Sequence, residues 1–580
     1  MKILGINSVY HETAAAIIID GKVVSAVEEE RFNRYKHGAE ARPENPDEYP
    51  LKSIFHCLKQ GRVKVEELDA ICYSYSPKLR EKEYKADPYS IEGGWGHLES
   101  EKTFHAALSK VPETLSEALQ TDISDRFHWV PHHLAHAAST YYPSSFAKAG
   151  ILVVDGIGEY STAMLAYGEG NKIKTLKTIY FPDSLGFLWQ RMSKFLGFSN
   201  YDACKVMGLA SYGNPLKYQK EFSQIIQLGE DGSFSIAGDT IQFRRKDFES
   251  LVSVFGSLND GDTVLSPEKS DLNQKHKDIA ATLQDITNQV MLSLANWIYK
   301  QYPCDALCIA GGVGLNCQSN WIVKEKSPYQ HIYIPTAAHD AGTAIGAALY
   351  HYYHIKFPNG SDYANSHVKS KIMPNPYLGP SFSDREIEQI LTAKNIQARK
   401  SENVEAEAAQ FIAGGKIVGW FQGKLEFGPR ALGNRSLLAD PRDRNIREVM
   451  NTKVKHREVF RPFAPSVMEE KSHEWFELGK PSESLYYMLF ACPVLSDKLD
   501  KIPAVLHVDN TARVQLVNRD MNPKYHKLIE EFEAITGVPI VLNTSFNDSE
   551  PIVCTPEDAL ATFFKTRIDV LVLGNYVIER

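Results

Sequence analysis

His132 and His136 stand four residues apart in His132-His133-Leu134-Ala135-His136. On a helix that spacing turns both imidazoles to one side, where they can reach a single metal ion. Asp155 closes a buried-strand pattern, Ile151-Leu152-Val153-Val154, and Gly156 follows it. Asp340 sits in His339-Asp340-Ala341-Gly342-Thr343-Ala344-Ile345-Gly346, where small residues let a backbone come close to a ligand or a neighbouring helix. Two imidazoles with one or two carboxylates suit a divalent first-row metal such as iron(II), manganese or zinc. The competing reading is an accidental pair on a helix surface, and spacing alone does not separate the two.

A second chemistry lies between Lys424 and Arg461. That stretch carries Arg430, Arg435, Arg442, Arg444, Arg447, Lys453, Lys455, Arg457 and Arg461. Turns at Phe427-Gly428-Pro429-Arg430 and Leu432-Gly433-Asn434-Arg435 punctuate it. Guanidinium groups bind phosphate oxygens bidentately, so arginines beside glycine turns suit a phosphate-rich ligand. Arg513 follows later, and the turn Asn543-Thr544-Ser545-Phe546-Asn547 is expected directly after a strand, where open α/β sheets bind ligands. Arg442, Arg444 and Arg447, mixed with Asp443 and Glu448, read as a solvated face. No P-loop or dinucleotide fingerprint occurs. Gly311-Gly312-Val313-Gly314 lacks that spacing, though its glycines leave room for an adenosine against the backbone.

These groups need elements to hold them. Ile3-Leu4-Gly5-Ile6 is a buried-strand pattern, followed by strand patterns at Ala14–Asp20 and Lys22–Glu28 across an Asp20-Gly21 turn. The pattern returns at Ile151–Asp155, Ser161–Tyr167 and Lys172–Phe181, which predicts a duplicated α/β domain with a cleft between its halves. Ile279, Leu283, Ile286, Val290, Leu294 and Ile298 form one apolar stripe and predict a long helix over Lys275–Lys300. Turn chemistry from Pro358 to Pro376 marks a linker. Beyond it, Ser383 with Glu386 forms a capping-box signature. Strands are expected at Lys416–Trp420, Pro539–Leu542 and Val570–Leu573. The predicted organisation is a first domain over 1–356, a linker over 357–380 and a second α/β domain over 381–580.

The chain has 580 residues and a net charge of −8, which argues against a bulk nucleic-acid binder. Its eight cysteines are too thinly spread for a disulfide scaffold and read as free thiols. No apolar run reaches the roughly 18 residues a membrane span needs, and the first residues lead straight into a strand. A cytoplasmic protein is expected.

Taken in order, Glu29-Glu30-Arg31-Phe32, His132-His133-Leu134-Ala135-His136, Val154-Asp155-Gly156, Lys205-Val206-Met207-Gly208-Leu209-Ala210, Gly311-Gly312-Val313, Phe427 to Arg435, Arg461-Pro462-Phe463-Ala464-Pro465 and Asn543 to Asn547 resemble the motifs of the NodU/CmcH carbamoyltransferase family. The resemblance runs nearly end to end. It implies an α/β fold with a duplicated actin-like N-terminal domain and a YrdC-like C-terminal domain. It implies iron or another divalent metal on His132, His136, Asp155 and Asp340. Contacts to carbamoyl phosphate and ATP, with magnesium, fall on Arg430, Lys455, Arg461, Arg513, Asn543 and Ser545. Adenylate contacts in the first domain fall on Lys205, Gly311, Gly312 and Asn316. His11 matches the family histidine beside the acceptor and is the expected general base, with Lys455 and Arg461 the other catalytic groups. Two positions depart from the family pattern: Glu12 follows His11 where an aspartate is usual, and the acid before the Lys205 motif stands at Asp202.

The activity implied is ATP-dependent transfer of a carbamoyl group, through carbamoyl adenylate, to a hydroxyl of a small natural product. Nucleic acid and membrane are not expected partners, and the oligomeric state is open with a homodimer favoured. The insert from Arg42 to Ser100, with Trp95 and several tyrosines, is expected to shape the acceptor pocket, although core packing is the commoner use of such rings. Three other readings compete: a threonylcarbamoyl-adenosine tRNA-modifying enzyme, a nucleotide-gated actin-like binding protein, and a hydrogenase-maturation carbamoyltransferase. The acidic charge weighs against the first. The histidine pair and the cationic stretch weigh against the second, and the missing zinc-finger cysteine pairs against the third.

Overall fold

Runs of apolar residues too long for a half-exposed strand become the central strands of two matching sheets. The computed structural model describes residues 1–38, 48–258, 272–356 and 375–580. In the first sheet β1 (Lys2–Asn7), β2 (Ala14–Ile19) and β3 (Lys22–Glu28) form an antiparallel meander. β4 (Ala70–Tyr73) and β5 (Phe127–Trp129) extend it in parallel, giving the order β3-β2-β1-β4-β5. The second sheet repeats this plan. β6 (Lys148–Val154), β7 (Ser161–Glu169) and β8 (Lys172–Tyr180) form the meander. A small hairpin, β9 (Ile226–Leu228) and β10 (Phe234–Ile236), lies apart. Then β11 (Ala306–Ala310) and β12 (His331–Tyr333) add in parallel, giving β8-β7-β6-β11-β12. The duplication expected of an actin-like fold is therefore present strand for strand.

Helices join the two sheets. The helix Gln274–Gln301 starts at Asn273, whose side chain accepts the His276 N–H. Its apolar stripe is buried at Ile279, Leu283, Val290, Leu294 and Ile298, and half-buried at Ile286. The helix Ala341–Lys356 lies against both β1 and the helix His132–Tyr141. Gly346 makes that crossing possible, because a Cβ there would stand 1.8 Å from the Ala135 carbonyl oxygen. The close crossing brings the residue before one helix, Asp340, to the first turns of the other.

The second unit is also α/β. Its eight-stranded mixed sheet runs β13 (Arg399–Lys400), β22 (Tyr576–Glu579), β21 (Val570–Leu573), β14 (Val418–Phe421), β15 (Arg435–Ala439), β20 (Ile540–Ser545), β16 (Ala464–Met468), β19 (Gln515–Val517). A separate hairpin pairs β17 (Ala491–Pro493) with β18 (Thr511–Arg513). The capping box at Ser383 and Glu386 starts the helix Asp384–Ala393. Two boundaries differ from the sequence reading. The strand expected at 416–420 is shifted to Val418–Phe421. Asn543, Thr544 and Ser545 belong to β20 itself, because they pair with β15 rather than turning away after the strand.

The chain divides into two compact units, Met1–Glu29 with His37–Pro374, and Glu30–Lys36 with Asn375–Arg580. Residues 357–374 of the expected linker lie outside the described residues. The segment Glu30–Lys36, assigned by sequence to the first domain, groups with the second. There Arg34 donates to the carbonyls of Pro551 and Ile552, and Arg31 to that of Gly428. A local reading of the motif around Arg31 has no access to partners 397 or more residues away.

Candidate metal centre and cationic pocket

In the first unit, His132, His136, Asp155 and Asp340 converge, and all four are buried. The Nε2 of His132 is 3.3 Å from Asp155 Oδ2 and 3.6 Å from Asp340 Oδ1. The Nε2 of His136 is 3.4 Å from each carboxylate. His136 Nε2 and Asp340 Oδ1 are buried without a hydrogen bond. Buried polar atoms are rarely left so, and four donors of the right types facing one point fit a divalent cation. Burial would push the His132 imidazole down, but Asp340 and Asp155 outweigh it and hold its pKa well above the ordinary value. Burial opposes the ionisation of Asp155, yet His132 and His136 bring it well below the carboxylate range.

The surroundings fix these ligands. Asp155 Oδ1 accepts the Gly312 N–H at 3.0 Å. Gly311 has φ +90°, and a Cβ on it would lie 2.2 Å from the Val154 carbonyl oxygen, so only glycine lets this turn lie on β6. Glu159 accepts the N–H groups of His132 and Ser76. His133, between the two ligand candidates, pairs with Ser161 Oγ at 2.8 Å and is pushed down to about 3 by burial and by the two flanking imidazoles. His11 stands at the edge, half-exposed, with Nδ1 3.8 Å from Asp340 Oδ2. Glu12 binds the His37 ring at 2.6 Å. Burial would raise its carboxyl, but His339, His37 and His11 together pull it far down. The glutamate at this position thus serves His37.

The four residues expected to touch adenylate are held by their own neighbours. Lys205 pairs with Asp202 at 3.2 Å. Asn316 caps the helix Cys317–Lys326 and bonds Gln284. Gly311 and Gly312 support β6 and Asp155, as above. Trp95 packs edge-on against Tyr10 and Phe104, the core use of such a ring; part of its insert, residues 39–47, lies outside the described residues.

In the second unit, Lys455 is buried and its Nζ donates to Ser545 and Asn547. Burial first, then Arg457, Arg461 and Lys36, drive its pKa well below the lysine value. Such crowding of cations costs energy that an anion would relieve. Arg430 is half-buried and its Nε has no partner among the described residues. Arg461 faces Glu458 at 3.7 Å, and Arg513 is half-buried on β18. Asn543 is buried, with its amide donating to Ala431, Ser466 and Gln515 inside the sheet. Arg435 is a structural cation: fully buried, 3.6 Å over the Phe421 ring, and bonded to the carbonyls of Gln422, Gly423 and Pro380. Arg447, read from sequence as solvated, donates to the carbonyls of Phe460 and Leu506. Its signal was hidden by the flanking Arg444 and Glu448.

Comparison with known proteins agrees along the length. Residues 2–349 match the family model described as carbamoyltransferase N-terminus, and residues 409–580 the model described as carbamoyltransferase C-terminus. An uncharacterised protein of Synechocystis is 37% identical over all of this chain and 96% of its own length. Nodulation protein NolNO of Sinorhizobium fredii is 36% identical over 99% of this chain and 80% of its own. Among solved structures, HypF of T. kodakarensis aligns with 61% of this chain and 48% of its own, at 11% identity and a TM-score of 0.30. Both family models and relatives of more than 30% identity cover the chain, which therefore belongs to the carbamoyltransferase family.

Proposed function

We propose that the protein is an ATP-dependent O-carbamoyltransferase that uses carbamoyl phosphate and magnesium-ATP to carbamoylate a hydroxyl of a small natural product. The observation that carries this reading is the buried convergence of His132, His136, Asp155 and Asp340 with His11 at its edge. His132, His136, Asp155 and Asp340 would hold iron(II) or another first-row divalent ion, which would supply Lewis acidity toward charge that develops on the carbamoyl donor.

The remaining work falls to side chains. Lys455, Arg461 and Arg513, with Arg430, bind the phosphate of carbamoyl phosphate and make it a better leaving group. Water takes the place of the departing phosphate on the carbamoyl carbon, and the carbamate so formed attacks the α-phosphate of ATP, giving carbamoyl adenylate and pyrophosphate. His11, 3.8 Å from Asp340 at the edge of this cluster, takes the proton of the acceptor hydroxyl as it attacks the carbamoyl carbon. AMP leaves. The eight cysteines are all free, which supports a reducing, cytoplasmic setting. Among the described residues no helix is long and apolar enough to cross a membrane.

The test is incubation with carbamoyl phosphate, ATP and magnesium, following pyrophosphate and AMP. Release that needs carbamoyl phosphate and is lost in Arg461→Ala supports the adenylate route. ATP turnover indifferent to carbamoyl phosphate removes it.

A further inference from the structure

The geometry points to His507 as the proton acceptor for the water that opens carbamoyl phosphate, an assignment that rests on the carbamoyl-transfer reading above. His507 precedes the turn into β18. Its N–H donates to the Thr511 carbonyl at 2.8 Å, and Asn510, at φ +61°, reverses the chain between them. Thr511 and Arg513 are two apart on one strand, so their side chains share a face. His507 is therefore held on the side of the hairpin that presents Arg513.

The hydrogen bonds of this turn decide the tautomer. A threonine hydroxyl has one proton to give. Thr511 gives it to Asp509 Oδ1 at 2.7 Å. The remaining approach, Thr511 Oγ1 to His507 Nδ1 at 3.5 Å, must then run the other way, with Nδ1–H donating and the hydroxyl oxygen accepting. Nε2 is left with its lone pair, and no described residue bonds it. The order His507, Thr511, Asp509 is that of a base oriented by a hydroxyl and a carboxylate.

Two guanidinium groups act on it. Arg447 ties Leu506, the residue before His507, to Phe460, the residue before Arg461. Burial, then Arg513 and Arg447, push the His507 imidazole down to about 4, against the pull of Asp509. Among the described residues three charged groups face it: Asp509 from its own turn, Arg513 from β18 and Arg447 from the helix Ile446–Val449. The ring is neutral near pH 7 and free to accept a proton. A bound phosphate dianion offsets the guanidinium charges and raises its basicity at the moment it is needed.

The step balances. The water oxygen bonds to the carbamoyl carbon, the bond from that carbon to the bridging oxygen breaks, and phosphate leaves with the electron pair. One water proton passes to His507 Nε2 and the other leaves on phosphate. The products are carbamate, hydrogen phosphate and the imidazolium.

The experiment compares full-length wild type, His507→Gln and His507→Gly by phosphorus-31 NMR, with carbamoyl phosphate, ATP and magnesium. In His507→Gln, kcat for phosphate release should fall by about 100-fold or more, with KM for carbamoyl phosphate changed only a few-fold. Wild-type kcat should decline at low pH as Nε2 becomes protonated, and that limb should be absent from His507→Gln. Added imidazole should restore part of the rate of His507→Gly, which a purely structural loss would not allow. Unchanged kcat in His507→Gln, or a loss that imidazole does not restore, overturns the assignment while leaving carbamoyl transfer standing. Wild type that leaves carbamoyl phosphate intact overturns both.

Discussion

Among single residues, neighbouring arginines have opposite duties. Arg430 leaves an Nε without a described partner, whereas Arg435, five residues on, spends its guanidinium on backbone carbonyls under Phe421. Arg430→Ala is expected to raise KM for carbamoyl phosphate at least tenfold and leave the melting temperature nearly unchanged. Arg435→Met should strand several buried carbonyls and cost on the order of 3 kcal/mol, read as a lower melting midpoint. Nothing in the run of residues separates the two, because both follow a glycine turn. The histidine pair was more legible, since its i,i+4 spacing and the two later aspartates name a donor set. In His136→Ala, metal content of the purified protein should drop and carbamoyl transfer should fall more than about 100-fold. Pyrophosphate release driven by carbamoyl phosphate should persist, because Lys455 and Arg461 belong to the other unit.

Secondary-structure elements were legible where periodicity was strong. The stripe from Ile279 to Ile298 gives the long helix, and Val570–Leu573 is a strand at the residues expected. The Asn543 segment misled because polar residues at a strand's end look like a turn, while pairing across a mixed sheet is a long-range property. The crossing at Gly346 was also beyond local reading: a glycine within a run of small residues does not say which backbone it meets. Gly346→Val should clash with the Ala135 carbonyl, cost about 1–3 kcal/mol or more in thermal unfolding, and move Asp340 away from the two histidines. Metal content measured on the folded fraction checks the second effect.

For the whole molecule, the doubling of the first unit was foreseen from two strand–hairpin patterns, but membership of Glu30–Lys36 in the second unit was not. A protein beginning at Asn375 would lack the partners of the Pro551, Ile552 and Gly428 carbonyls. It should unfold at lower temperature than a version with Glu30–Lys36 fused ahead of it, and limited proteolysis should cut it faster.

That seven-residue strap also sets a schedule for biosynthesis. Arg31 and Gly428 are 397 residues apart, and at about 5–20 residues per second the first waits roughly 20–80 s for the second to be made. The second unit closes around a piece of chain that left the ribosome long before it. Contacts of such long range slow folding, so docking of the strap is a late step in the folding of the second unit.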